Sequence, residues 1–386
     1  MNLRFQIMTE AVANLGVPVP VDVAQIEQEL TSLWKSASER EGEGAVMRAC
    51  SCNLVAIALD EKEAVSLASV LAKVSEFHPC RSIIAYREEN GENPGGVNAG
   101  MRAWLSAQCF SPVAGGPQVC CEAIAIAARG KAAGDLPNTL VSLLVPDLPA
   151  FVYWRSFKSL DQELVNRIAH FSDLLIVDSH ASKEDLENRE RLLELLRNPP
   201  AGISIRDLNW SRLTAWRDLI AQFFDVPSNR RHVWEISEIE ICRAVARPGN
   251  VPTRTLLLIG WLAARLNWKQ VSAERNGDEW LSRWQSASGD VVVRLTGRSA
   301  GAAQTADIQS VRLRTRSGVT FSVTQEKGSS CMSATSHTPA SVLVHTVPRD
   351  SMDEATLLIR ELSIAGEDAG FQAALAAALK LEKAFR

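Results

Sequence analysis

Residues 203–225, ISIRDLNWSRLTAWRDLIAQFFD, decide the fold class. An apolar segment, 203–206, runs into Asp207, Asn209 and Trp210, and Leu213, Trp216, Ile220 and Phe223 then recur at helical spacing. Apolar side chains three and four apart share one helix face, so the stretch reads as strand, polar turn and amphipathic helix. In an open α/β sheet such a turn lies at the carboxyl edge of the strands, where a helix N-terminus offers unpaired N–H groups to anions. Capping by Asp207 and Asn209, packing by Trp210 and a solvated Arg212 explain the same residues without a ligand.

The segments just upstream share this texture. Strands at 151–154, 174–178 and 203–206 alternate with helices near 159–170, 182–197 and 211–224, which predicts a parallel sheet. Ser182 and Asp185 supply a capping signature for the middle helix. Asp178 and Asp207 then fall at one sheet edge, where paired carboxylates could serve acid/base chemistry or hold a metal or sugar hydroxyls. No Gly-x-Ser-x-Gly, Walker or Gly-x-Gly-x-x-Gly motif completes a mechanism.

Further back, the periodicity predicts a helix over 22–37, a strand over 52–59, a helix from Asp60 to Ser75 and a strand over 82–86. Two strands, 103–111 and 118–127, face each other across Ala114–Pro117, and Glu122, a charge inside the second, is expected to point to solvent and to be noteworthy only if that strand is central. A helix over 136–145 stops at Pro146-Asp147-Leu148-Pro149. His78-Pro79-Cys80-Arg81 forms a turn whose His78 and Arg81 could bind an anion or bond their own backbone, and 88–100 reads as a loop.

Past a strand within 232–245 and a Pro/Gly break at 246–252 comes a helix over 255–266. Four alternating strands follow, 291–296, 308–315, 319–325 and 341–347, with Ser317-Gly318 as a hairpin turn. They predict an antiparallel meander with Val311 and Leu313 inward and Arg312, Arg314 and Arg316 outward, either solvated or able to dock an acidic partner. Helices over 353–362 and 368–383 close the chain. The expected fold is therefore α/β: a region 1–245 with a largely parallel sheet, open to subdivision near 155–170, and an α+β region 253–386 with the meander and C-terminal helices.

Composition narrows the partners. The 386 residues are 46% hydrophobic and 22% charged, with formal net charge -4, which gives no global attraction to nucleic acid or anionic membrane. No apolar run approaches the ~20 residues of a membrane span and no secretory leader is legible, so the expected location is cytoplasmic. The eight cysteines contain no Cys-x-x-Cys and the histidines do not cluster, so no metal site is expected. Free thiols are the default in such a compartment; Cys50 with Cys52, and Cys120 with Cys121, are the redox candidates.

In order along the chain, His78-Pro79-Cys80-Arg81, Cys121-Glu122-Ala123-Ile124, Leu143–Pro149 with Tyr153-Trp154-Arg155, Ile176–Ser179, Asp207–Arg212 with Trp216-Arg217, and Gly260-Trp261-Leu262 resemble the glucose-6-phosphate dehydrogenase assembly protein (OpcA) family. Tyr153 stands where that family commonly has Trp. The resemblance implies a non-catalytic protein without cofactor that binds glucose-6-phosphate dehydrogenase, promotes its active oligomer and activates it allosterically in the oxidative pentose phosphate pathway. It also implies an effect tied to thiol redox state in cyanobacteria. The competing expectation is an α/β enzyme or metabolite sensor for a sugar phosphate, with Arg212 on the phosphate and Asp178 or Asp207 on hydroxyls. Because Trp and Arg dominate protein interfaces, an exposed set of Trp154, Arg155, Trp210, Arg212 and Arg217 is expected to dock the partner, beside His78, Arg81, Asp147 and Asn209.

Overall fold

The computed structural model describes residues 18–39, 46–88, 100–111, 118–155, 162–180, 194–195, 197–200, 203–245, 251–277, 279–299, 308–325, 329, 331–338, 342–348, 353–364 and 366–385. Most of the helix expected at 182–197, with its Ser182–Asp185 cap, and most of the loop at 88–100 lie outside them. The chain divides into two compact units, one of 1–208 and 353–366, the other of 209–352 and 367–386. The sequence boundary at 245–253 differs from this division, which falls inside the 203–225 stretch, between Leu208 and Asn209.

The first unit is a nine-stranded sheet: β1 (Val19–Val21), β2 (Val46–Arg48), β3 (Cys52–Ala58), β4 (Cys80–Glu88), β5 (Met101–Phe110), β6 (Gln118–Arg129), β7 (Ala150–Trp154), β8 (Leu174–Val177) and β9 (Ser204–Asp207). Its order is β1-β5-β6-β4-β3-β7-β8-β9, with β2 also on β6. From β6 to β9 every pair is parallel, while β5–β6 and β1–β5 are antiparallel.

Parallel strands are covered on both faces, and β3, CNLVAIA, is buried at every position. On one face α2 (Glu61–Phe77) sets Ala64, Leu67, Leu71 and Val74 against Leu54, Ala56, Ile84 and Tyr86. Leu357 and Leu358 of a late helix, α8 (Glu354–Ser363), join the same core. On the other face α3 (Leu136–Ser142) and α4 (Gln162–Ala169) present Leu140 and Ile168 to Val55 and Val152 around a shared apolar cleft. The first helix, α1 (Ile26–Glu39), buries Ile26 and Leu30.

The second unit is an eight-stranded sheet: β10 (Ile236–Val245), β11 (Lys269–Asn276), β12 (Glu279–Ser286), β13 (Gly289–Ser299), β14 (Ile308–Thr315), β15 (Thr320–Thr324), β16 (Cys331–His337) and β17 (Val342–Pro348), ordered β11-β12-β13-β10-β14-β15-β16-β17. Three of these eight strands, β11, β12 and β16, are not among those expected from sequence. In β11, KQVSAERN, and β12, EWLSRWQS, charged side chains blur the alternation, and β16 is rich in Ser and Thr. The sheet is antiparallel except for β10–β13, which run parallel.

Val311 and Leu313 are buried, whereas Arg312 and Arg314 reach the solvent face and pair with Glu240 and Glu238. On the covered face Phe223 and Phe224, from α6 (Thr214–Asp225), each lie 5.1 Å from the Phe321 ring. Helix α7 (Thr253–Arg265) packs along α9 (Ala369–Phe385), and Gly260 faces the α9 backbone closely. A Cβ there would collide with the Ala374 carbonyl and stand 2.9 Å from the Ala378 nitrogen.

Gly260→Ala is therefore expected to force the two helices apart at a cost of about 3 kcal/mol, read as a lowered denaturation midpoint. Unchanged stability would mean that the helices accommodate the methyl without cost.

Candidate functional site

The polar turn expected at 207–210 is no loop. β9 ends on Asp207 and passes directly into a single helical turn, α5 (Leu208–Ser211), ahead of α6. Asp207 is the last strand residue, 1% exposed, and its carboxylate accepts the Ser179 backbone N–H at 3.0 Å. Asp178, also buried, accepts the His180 N–H at 3.0 Å. The two carboxylates thus stand at one sheet edge, as the alternating pattern implied, and each fixes backbone just beyond β8.

Further carboxylates stand at that edge. Asp60 caps α2 by accepting the Glu63 N–H at 2.7 Å, and Glu63 reaches back to the Leu59 N–H at 2.5 Å. Burial pushes the Glu63 carboxyl up; the Leu59 N–H and Arg155 oppose this, while Asp60 and Glu354 add to it. Glu354, in the first turn of α8, accepts Tyr153 Oη and Arg155 Nη2, each at 2.6 Å. Burial, and then the Asp178 charge, hold the Tyr153 hydroxyl well above its usual range, so it stays a neutral donor.

Arg81 and His78 diverge. His78 Nε2 lies 3.1 Å from both the Ile359 carbonyl and Ser363 Oγ, tying α2 to the end of α8. Arg81, 3% exposed, donates to Glu122 at 2.6 Å, to Glu27 at 2.6 Å and to the Leu143 carbonyl at 2.8 Å. Burial alone would lower its pKa, but the Glu27 and Glu122 carboxylates reverse that and raise it.

Glu122 corrects the sequence expectation: it points inward, 2% exposed, because β6 is an interior strand with β5 on one side and β4 on the other. It also takes Trp34 Nε1 at 2.7 Å and Arg48 at 2.6 Å. Opposite charges inside two otherwise apolar strands were the signal available for this pair. Asn53, wholly buried, is not among the residues expected from sequence. Its side chain exchanges hydrogen bonds with Val145 at 2.7 and 3.1 Å and so holds the turn in which Asp147, exposed, takes φ 62°.

In the second unit the motif is also internal. Trp210, 3% exposed, donates to Asp368 at 2.6 Å, tilts against Phe371 at 5.8 Å and carries the Arg217 guanidinium 3.6 Å from its ring centre. Asn209 accepts from Arg254 at 3.2 Å. Arg212 is 8% exposed and Trp154, in the first unit, 0%. The expected exposed aromatic and arginine set is therefore buried, apart from the half-buried Arg155 and Arg217, and Trp210 and Arg155 each close a contact with a segment distant in sequence.

The thiols divide differently from the expected pairs. Cys120 is disulfide-bonded to Cys109, its cross-strand partner, and not to Cys121. Cys50, Cys52 and Cys121 are free. Cys52 neighbours Cys80 in the β3–β4 register, and that sulfur contact lowers the Cys52 thiol and raises the Cys80 thiol well above its ordinary value. Burial pushes Cys121 up to about 11 and raises Cys50.

Glu122→Ala should cost about 3–5 kcal/mol in urea unfolding, since it strands a buried guanidinium, and Glu122→Leu with Arg81→Met should recover part of that. A small loss in the single variant would place the pair in a more hydrated setting. Alkylation of the unfolded, unreduced chain should label six cysteines and reduction should expose the remaining two; eight labels without reductant would count against the bridge.

Two family models match in succession: glucose-6-phosphate dehydrogenase subunit N-terminal domain over residues 72–194 and C-terminal domain over 203–375. An OxPP cycle protein OpcA of Nostoc punctiforme is 34% identical over 215 residues, covering 55% of this chain and 43% of the relative. Its counterpart in Synechocystis is 32% identical over 202 residues, covering 52% and 39%. The match thus spans less than half the length of these relatives. Among solved structures, an oxidoreductase, YvaA, of Bacillus subtilis is similar at 8% identity and a TM-score of 0.47, covering 86% of this chain and 96% of that one. With both domain models matched in order and the Asp207–Arg212 motif between β9 and α6, the chain belongs to the OpcA family.

Proposed function

We propose that this protein binds glucose-6-phosphate dehydrogenase and raises its activity in the oxidative pentose phosphate pathway by favouring the enzyme's active oligomer, without itself catalysing a reaction. The observation that carries the reading is the ordered match to the two subunit-domain models over 72–194 and 203–375. The chemistry of the conspicuous polar residues supports the non-catalytic part. Arg81, Glu122, Asn209 and Trp210 have partners within the fold. Arg212, which the sugar-phosphate alternative sets on the phosphate, is buried.

An activator of this kind acts only through differential affinity. Binding the competent state of the enzyme more tightly by about 1–3 kcal/mol gives roughly 5- to 150-fold coupling. The purified dehydrogenase, titrated with this protein, is expected to show a lower Michaelis constant or a higher turnover together with a shift in sedimentation toward the larger assembly. Unchanged kinetics and unchanged sedimentation would overturn the reading. A calorimetric titration of this protein alone with glucose 6-phosphate is expected to give no heat of binding.

A further inference from the structure

The second sheet ends in two edges of opposite character. β11 carries Lys269, Glu274 and Arg275, the kind of charge that keeps an open strand from pairing with another chain. β17, VLVHTVP, has no Asp, Glu, Lys or Arg, and among the described residues it has a strand neighbour, β16, on one side only. Val342, Leu343 and Val344 are 60%, 65% and 61% exposed.

The apolar character lies on both faces of that edge. Register with β16 and β15 sets Val342, Val344 and Thr346 in line with Arg314, Arg312 and Ser310 on the solvent face, and Leu343 and His345 in line with Phe321 and Val323 on the covered face. A neutral strand with unpaired backbone N–H and C=O groups and apolar side chains above and below is a template for another strand.

We infer that β17 pairs with β17 of a second copy of this chain, antiparallel across a two-fold axis, to give one continuous sheet. The strand is complementary to itself. With the axis at Val344, Val344 faces its own copy, Val342 faces Thr346 and Leu343 faces His345, so no acidic or basic side chain confronts its like. The charged β11 edge disfavours the head-to-tail alternative, so the assembly closes as a dimer and does not propagate as a fibre. The pairing leaves the Arg294, Arg312 and Arg314 ladder with Glu238 and Glu240 solvated in both copies.

Sedimentation of the full chain over a wide concentration range, with no dehydrogenase present, tests this apart from the proposed activation. A monomer–dimer equilibrium is expected, weakened at least about tenfold by Val344→Lys and left unchanged by Arg275→Ala on the other edge. Amide exchange of residues 342–348 in the unaltered chain should slow as concentration rises, which tests the same contact should Val344→Lys fail to fold. A monomer at every concentration, a dimer indifferent to Val344→Lys, or concentration-independent exchange would each overturn the inference. A monomer whose Val344→Lys variant loses dehydrogenase binding would likewise overturn it and assign the edge to that enzyme.

Discussion

One buried guanidinium organises the first unit. Arg81 stands in the central strand β4 and joins β6 through Glu122, α1 through Glu27 and the end of α3 through the Leu143 carbonyl. Neither charge could be buried alone, since desolvating an unpaired ion costs several kcal/mol. Each is buried because the other is, and the Trp34 and Arg48 donors complete the carboxylate. The pair demands that four segments arrive together, so it favours one arrangement of β6, β4 and α1 over slipped registers.

The same logic explains why the signature residues of the chain are internal. A Trp or Arg that closes a contact between sequence-distant segments is as constrained as one that touches a partner. Trp210 meets Asp368 and Phe371 more than 150 positions away, and Tyr153 and Arg155 meet Glu354 some 200 away. The His78-Pro79-Cys80-Arg81 and Asp207–Arg212 motifs thus identify the fold through its long-range joints.

The parallel sheet was legible because its strands carry continuous apolar runs separated by amphipathic helices at short intervals, as in 151–225. The inward and outward sides of β14 followed from alternation alone. Less was legible where the cause was non-local. The direction of Glu122 depends on which strands flank β6, and the Cys109–Cys120 bridge depends on the β5–β6 register. The strands β11, β12 and β16 present charged or hydroxyl side chains to water on one face, which dilutes the period-two signal that a sequence offers.

The late segment 353–366 belongs to the first unit although nearly the whole second unit precedes it in the chain. Arg206, buried in β9, donates to the carbonyls of Glu361, Ile364 and Gly366, and His78, Tyr153 and Arg155 also find partners on α8. During synthesis these groups wait for 155 to 281 further residues, so the N-terminal sheet leaves the ribosome before α8 can pair with them. Folding is consequently not modular from the N-terminus. A fragment cut where the two family domains meet would lack the helix that seals its own core.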